Sequence, residues 1–441
     1  MALKLRRSLS LFEATIYGIG IILGAGIYAL IGEAAGNAGN ALWLSFVIGA
    51  AVSALTGLSY AELSAMYPKA AAEYIYVKKA YASKFLAFLI GWLLIFTGVL
   101  SVATVALGFS GYFNQIIGIG RSPGQNQIPF AVLIGVAAVL IAALSCVNFW
   151  GIKESSNMNV VSTIAEVGGL ILIIFLALAS GSFGSVNYLE MPKGFGGVIA
   201  ASILVFFAYL GFEEIVNVAE ETKKPKKFIP KAIVTAIIVT TILYILVSLA
   251  TVSLAKWDSL GDAANPLALA ASKSFLGENA GLVMSFIALF ATGNTVLIIL
   301  VVTSRMIYGI ARDRALPQFL SKLHPKRKTP LYAIIAIMFL SIAFLFLGRI
   351  ETIASLTSLG AFITFAVINL SLIWLRYTKP DLNRPFRVPL NIGKFPVLPF
   401  IGAIFCVFMV YQFKLIEMGI GFAIILIGAL IYHLRKNKIV P

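Results

Sequence analysis

The sequence predicts an all-α polytopic membrane protein of twelve spans, two of them interrupted. Three observations lead there. Of 441 residues, 60% are hydrophobic and only 12% are charged, far from the shares of ordinary soluble domains. Runs of roughly 18 or more apolar residues, long enough to cross a hydrocarbon core about 30 Å thick, recur along the whole chain between short loops. Two of the runs contain helix-breaking features: clustered glycines in one, and a glycine followed by adjacent glutamates in the other.

In order, the spans are read at 11–36, 41–66, 85–117, 128–149, 157–180, 196–221, 230–254, 280–311, 331–347, 352–376, 396–413 and 416–434. The first has too little polar leader and no small-residue cleavage site, so it reads as a retained helix. The spans leave no stretch for a separate soluble domain, and the chain is read as one transmembrane unit.

The net charge of +16 is informative through its distribution. When sides are assigned by counting spans, about 28 of the 34 Lys and Arg residues fall on the side of the N-terminus, including the TKKPKKFIPK run. By the positive-inside rule both termini are cytoplasmic. The basic excess is a topology signal, and no nucleic-acid partner is implied. Cys146 and Cys406 lie within apolar runs and make no disulfide framework. His324 and His433 are too few and too far apart for a histidine metal centre, so no metal and no cofactor are expected.

Residues 17–30 read YGIGIILGAGIYAL, with Gly18, Gly20, Gly24 and Gly26 close together. Each Gly in a helix interior costs about 0.5–1 kcal/mol relative to Ala. Small residues permit close helix packing, which accounts equally well for Gly18 and Gly20. Gly24-Ala25-Gly26 is read as an unwound segment, because a second interruption appears where a repeat requires one. That is FFAYLGFEEIVNVAEE at 206–221, where Glu213 and Glu214 follow Gly211. Freed backbone groups are tolerated in a bilayer only where they face protein or a polar cavity, and intramembrane carboxylates need the same. Spans one to five (11–180) and six to ten (196–376) would form two inverted halves, with 396–434 as a peripheral pair. Spans one and six then correspond, and paired interrupted helices point to a transporter site. The halves show little similarity by eye, so the repeat rests on the pattern of spans.

The chemistry of such a break suggests its ligand. A half-helix starting near Ile27, with the N–H groups of Ala25 and Gly26, suits a carboxylate. Freed carbonyls of Ile21, Ile22, Phe207 and Ala208 suit an ammonium group. A small molecule with both groups is an amino acid.

The stretches GIILGAGIYAL, LSYAELSAMYPKAAAEYIYVKKAY, YLGFEEIVNVAEETKKPKKFIPKAI and TSRMIYGIARDRALPQFLSKLHPKRKTPLYAI resemble the amino acid–polyamine–organocation transporter family over nearly the full length, especially its archaeal, bacterial and cationic-amino-acid branches. The resemblance implies a LeuT-like fold of ten core and two peripheral helices, with alternating access around a central site. It implies that Gly24, Ala25 and Gly26 meet the substrate carboxylate, that Ile22 and the Phe207, Ala208 and Tyr209 backbone meet its amine, and that the span-six aromatics gate the site. Leu94, Ile95 and Val99 of span three and Asn294 and Ile299 of span eight would form the walls. These are mainly apolar, which favours a neutral amino acid, while Glu213 keeps a cationic one open. Two departures stand out. Ala71 and Ala72 replace the family's usual Gly-Gly pair, and span five carries Glu166 where many relatives have Lys.

Glu166 lies about eight residues into span five, roughly 12 Å along the helix and so near mid-membrane. An ionised carboxylate there is costly, which makes a proton a natural ligand and H+ the favoured coupling ion. Sodium, held with span-one carbonyls and Asn294, is the alternative, and a purely structural hydrogen bond is the third. Glu13 and Glu62 near cytoplasmic helix ends read as structural or gating, and Glu33 as near the outer end of span one. Adjacent residues cannot both face one cavity from a regular helix; of Glu213 and Glu214, the resemblance favours Glu213 for coupling or gating, against a structural hydrogen bond. Glu220 and Glu221 read as partners of the lysine run. Arg305 and Asp313 resemble the family's inner-gate network, which a helix-end charge pair explains nearly as well. The tryptophans read as interfacial anchors or packing.

The expected function is transport of amino acids across the plasma membrane by alternating access, as a proton symporter of neutral or broad-range substrates. An exchanger of amino acids or amines, or a cationic amino acid transporter, is the alternative. An intramembrane enzyme would need a nucleophile with a base or metal ligands at matched depth, and none is found. A channel or receptor could share broken helices. Oligomeric state is left open.

Overall fold

The computed structural model describes residues 9–68, 72–118, 129–150, 152–312, 314–327, 329–347 and 349–435. Ser10 starts the first helix through a reciprocal cap: its hydroxyl accepts the Glu13 N–H at 3.3 Å, and the Glu13 carboxylate accepts the Ser10 N–H at 2.7 Å. This helix, α1 (Leu11–Leu23), stops at Gly24–Ala25, and α2 (Gly26–Ala38) resumes beyond. A tight turn leads to α3 (Leu42–Met66), α4 (Ala72–Tyr81), α5 (Lys84–Ile117), α6 (Phe130–Trp150), α7 (Ile152–Ala179) and α8 (Gly194–Phe206). Past Phe206 the chain continues as 3-10 turns at Phe207–Tyr209 and Phe212–Glu221 before α9 (Pro225–Leu254). Then come two short helices, α10 (Trp257–Gly261) and α11 (Pro266–Ser272), followed by α12 (Glu278–Arg312), α13 (Leu331–Phe344) and α14 (Ile350–Thr378). A two-residue hairpin pairs β1 (Asn391–Ile392) with β2 (Phe395–Pro396), and α15 (Val397–Val410) and α16 (Leu415–Arg435) follow.

Among the described residues, nine helical stretches are long and apolar enough to cross a membrane, and Leu11–Leu23, Leu331–Leu347 and Val397–Val410 are shorter apolar helices. Most bounds lie within a few residues of the apolar runs. The larger differences are at two helix starts: α7 begins at Ile152, through the polar KESSN stretch ahead of the apolar run, and α9 at Pro225, through the lysines ahead of its run. The turn carrying Ala71 lies outside the described residues, as does the side chain of Ala72.

The packing rests on close approaches and on buried polar groups that find partners. α3 lies along α9, α5 along α12 and α14, and α2 along α8. The α10–α11 pair covers α2, where Gly32 faces the Leu260 carbonyl and Gly36 approaches Gly261. The Trp92 indole on α5 donates to the Ile424 carbonyl at 2.8 Å and fits against Gly428, docking α16. Asn369 on α14 accepts from Ser59 at 2.6 Å and donates to Thr56 at 3.0 Å, both on α3. Glu62 is fully buried at the end of α3, where Arg376 grips both its oxygens (2.8 and 2.5 Å), the Val388 N–H donates to it and Arg384 lies 3.3 Å away. A charge at that depth is tolerated because opposite charge and hydrogen bonds surround it. On α4, Glu73 is buried and accepts from the Tyr60 hydroxyl at 3.1 Å. Burial, with Glu214 close by, pushes its carboxyl up to about 7.

Candidate functional site

The two interruptions meet. Gly26, the first residue of α2, lies so close to the second break that a Cβ there would stand 2.6 Å from the Ala208 Cα. From the other side, Gly211 has φ +122°, a conformation that side chains resist. A Cβ on it would stand 2.5 Å from Ile21 Cγ2 and 3.0 Å from the Ile21 carbonyl oxygen. Glycine is required at both points by approach, and at Gly211 by backbone conformation as well. Ile21, Ile22, Gly24, Ala25 and Gly26 are thus assembled with Phe207, Ala208 and Tyr209 from nearly two hundred residues away.

Where the freed backbone groups go differs in part from the sequence reading. The Ala25 N–H, expected to be available to a carboxylate, donates to the Thr295 hydroxyl at 3.0 Å. That hydroxyl also sits beside Gly24. Ala25, the N-cap residue of α2, offers no capping side chain of its own, so the first-turn N–H groups of α2 stay at the positive end of a helix. The Phe207 carbonyl, expected to be free, accepts the Leu210 N–H at 3.2 Å because this break tightens into a 3-10 turn instead of unwinding fully. The Ile22 and Ala208 carbonyls converge on the hydroxyl of Tyr244 in α9, at 2.6 and 2.9 Å. Tyr209 is buried, and its hydroxyl donates to the Phe46 carbonyl of α3 at 3.0 Å. Tyr244 and Thr295 were missed from the sequence. Each is one hydroxyl among several on its helix, and nothing in its spacing marks it, although Thr295 directly follows the Asn294 that the sequence singles out.

Glu166 on α7 is 1% exposed and lies beside this junction. Asn294 of α12 donates to its Oε1 at 3.4 Å. Its Oε2 is buried with no hydrogen-bond partner among the described residues, an open acceptor position that a proton or a small cation would occupy. Its backbone carbonyl accepts the Tyr28 hydroxyl from α2 at 2.5 Å. Gly169 makes room for that phenol; a Cβ there would stand 2.5 Å from the Tyr28 oxygen.

The remaining candidates are more scattered. Glu213 accepts the Gly211 N–H at 2.9 Å and so closes its own turn. Ile95 and Val99 are buried on α5, where Ser341 of α13 donates to the Val99 carbonyl at 3.1 Å, and Ile299 is half-buried on α12. These three stand apart from the hydrogen bonds that join the breaks. Arg305 donates to the Val301 carbonyl of its own helix at 3.0 Å. Asp313, its expected gate partner, lies outside the described residues. Among the described residues no group of His, Cys, Asp or Glu is arranged to hold a metal.

An apolar, all-helical chain with helix interruptions packed together around a buried carboxylate has the build of a membrane transporter. The chain belongs to the amino acid permease family, whose model matches residues 9–432. It is 33% identical to the branched-chain amino acid permease BcaP of Bacillus subtilis, over 99% of this chain and 94% of that protein. It is 34% identical to the methylthioribose transporter of the same organism, over the same shares. Over 86% of this chain and 64% of that protein it is 30% identical to the vacuolar cationic amino acid transporter 4 of Arabidopsis thaliana. These relatives are named as permeases and transporters, not enzymes.

Proposed function

We propose that the protein is a proton-coupled symporter that carries neutral or broad-range amino acids into the cell across the plasma membrane, and that Glu166 is its coupling group. The proposal takes the chain as twelve spans with cytoplasmic termini, in two inverted halves at 11–180 and 196–376 and a peripheral pair at 396–434. α1 with α2, and α8 with the turns after it, are the interrupted first and sixth spans. The substrate carboxylate meets the start of α2 at Gly24, Ala25 and Gly26, and its amine meets the Ile22 and Ala208 carbonyls. Arg305 and Asp313 serve the inner gate.

The observation that most supports this is the unpartnered Oε2 of Glu166, buried beside the junction. The carboxyl binds a proton with substrate, travels neutral and releases it inside. Apolar walls and the kinship with a branched-chain permease support a neutral side chain. A cationic substrate is favoured by the relative named as a cationic transporter, and the methylthioribose transporter warns that family membership alone does not fix the cargo.

The test is uptake of labelled amino acids into sodium-free liposomes, with and without an inward proton gradient, for the wild type and Glu166→Gln. The expected result is accumulation driven by the gradient in the wild type, and a variant that exchanges substrate but no longer accumulates it. Equal behaviour of the two proteins would remove Glu166 from coupling. Uptake that needs only internal substrate would make the protein an exchanger, and a sodium requirement would make sodium the coupling ion.

A further inference from the structure

The exposed side of α14 changes character in order as the helix ends. Leu370, Trp374 and Tyr377 recur at i, i+4 and i+7 and so share one face. They are 44%, 50% and 53% exposed, and on a helix long and apolar enough to cross a membrane such a face meets lipid. Leu370 and Tyr377 are about 10 Å apart along the axis. Aliphatic, then tryptophan, then tyrosine is the order of a chain passing from hydrocarbon into the headgroup layer. Lys379 follows at once.

α4 brings two more cations to this level. Its Tyr81 ring stacks on Trp374, with centroids 6.0 Å apart and 30° between the planes. Lys78 lies one turn earlier on the same face of α4, its ammonium 5.6 Å from the centre of the Tyr74 ring. The Lys379 ammonium donates to the Lys79 carbonyl at 2.8 Å, which joins the end of α4 to the end of α14. Lys78, Lys79 and Lys379 are all exposed, and none takes part in an ion pair among the described residues. Residues 74–81 and 374–381 carry one carboxylate, Asp381, against these three lysines, while the buried Arg376 is already matched by Glu62.

We propose that the corner between α4 and the end of α14 binds one anionic phospholipid from the leaflet on the lysine-rich side. Its phosphate is held by Lys78, Lys79 and Lys379, and an acyl chain runs back along Tyr377, Trp374 and Leu370. Charge selects the headgroup: three cations facing one carboxylate suit a net-negative phosphodiester better than a zwitterion. The graded face selects a lipid over a soluble phosphate, because apolar surface begins directly below the cations and the lysine stems can lie along it. The lipid bridges α4 and α14 and so steadies the short helix that carries Glu73. Neither the cargo nor the coupling ion enters this inference.

The experiment is native mass spectrometry of the full-length protein in detergent, titrated with phosphatidylglycerol or with phosphatidylcholine of the same acyl chains. The variants are Lys78→Gln/Lys79→Gln, Lys379→Gln, Lys379→Arg and, as a control on another lysine-rich stretch, Lys224→Gln/Lys226→Gln. The wild type should take its first phosphatidylglycerol more tightly than phosphatidylcholine. That step should weaken about 5-fold for each of the three lysines removed, and Lys379→Arg and the control pair should keep it. Phosphatidylcholine binding should be the same in every protein. Equal affinity of the wild type for the two lipids would overturn the site. So would a loss in the control pair as large as in Lys78→Gln/Lys79→Gln, which would mean a diffuse surface potential. A loss in Lys379→Arg as large as in Lys379→Gln would reduce that lysine to its hydrogen bond with α4. Glycerol 3-phosphate, the same phosphate without chains, should not displace the lipid; displacement at equal concentration would make the occupant a soluble phosphate ester and overturn the lipid.

Discussion

At the scale of single residues, the glycines of the first span have different tasks. At Gly18 an added methyl would meet the end of the Ile215 side chain, which can move, whereas at Gly26 it would meet the Ala208 backbone. Gly26→Ala is therefore expected to cost about 1–3 kcal/mol through overpacking and to abolish substrate binding. Gly18→Ala should cost less and leave binding intact. Thermal unfolding in detergent and a labelled-substrate binding assay check both, and equal effects would sink the distinction. The sequence singled out Gly24 to Gly26 because glycine is rare enough in a helix to demand a reason. It could not single out Tyr244 or Thr295. Their hydroxyls serve backbone atoms far along the chain, and tyrosine and threonine in apolar runs are ordinary.

At the scale of elements, α4 was read only as part of a motif, and its packing brings a carboxyl into a dry place. Glu73 meets the Tyr60 hydroxyl, with Tyr76, Glu213 and Glu214 as its other titratable neighbours. Its carboxyl titrates near 7, above the ordinary range, so the folded protein holds this proton more tightly than the unfolded chain does. Stability from this group is full below the ordinary carboxyl range and is lost as pH rises to about 7. The loss is bounded at about 3 kcal/mol. Glu73→Gln keeps an acceptor for Tyr60 and should remove this part of the pH dependence, raising the melting temperature at pH 8 more than at pH 5. A variant whose profile parallels the wild type would refute it. Helix extents were largely legible because apolar length fixes them, and the breaks were legible because glycine marks them. Pairings such as Glu62 with Arg376 and Arg384 were not, since a single sequence records charges but not which helices bring them together.

For the whole molecule, the distribution of lysines makes a claim about sidedness. Lys193, Lys256, Lys273 and Lys414 are exposed and belong to the sparse side, while the exposed Lys224, Lys226 and Lys227 belong to the rich one. A membrane-impermeant amine reagent applied to intact cells should modify the first group and spare the second, as read by peptide mass spectrometry. The opposite pattern would invert the topology and place the α10–α11 pair on the cytoplasmic face. The junction between the breaks also holds an arithmetic of its own. Tyr244 has one hydroxyl hydrogen and two carbonyl oxygens within reach, at 2.6 and 2.9 Å. The two oxygens must share that one hydrogen, and no rotation of the phenol gives each a hydrogen of its own from Tyr244. On the reading proposed above, a substrate ammonium would supply N–H hydrogens to this pair, and it would be drawn here by a shortage of hydrogens more than by an excess of negative charge.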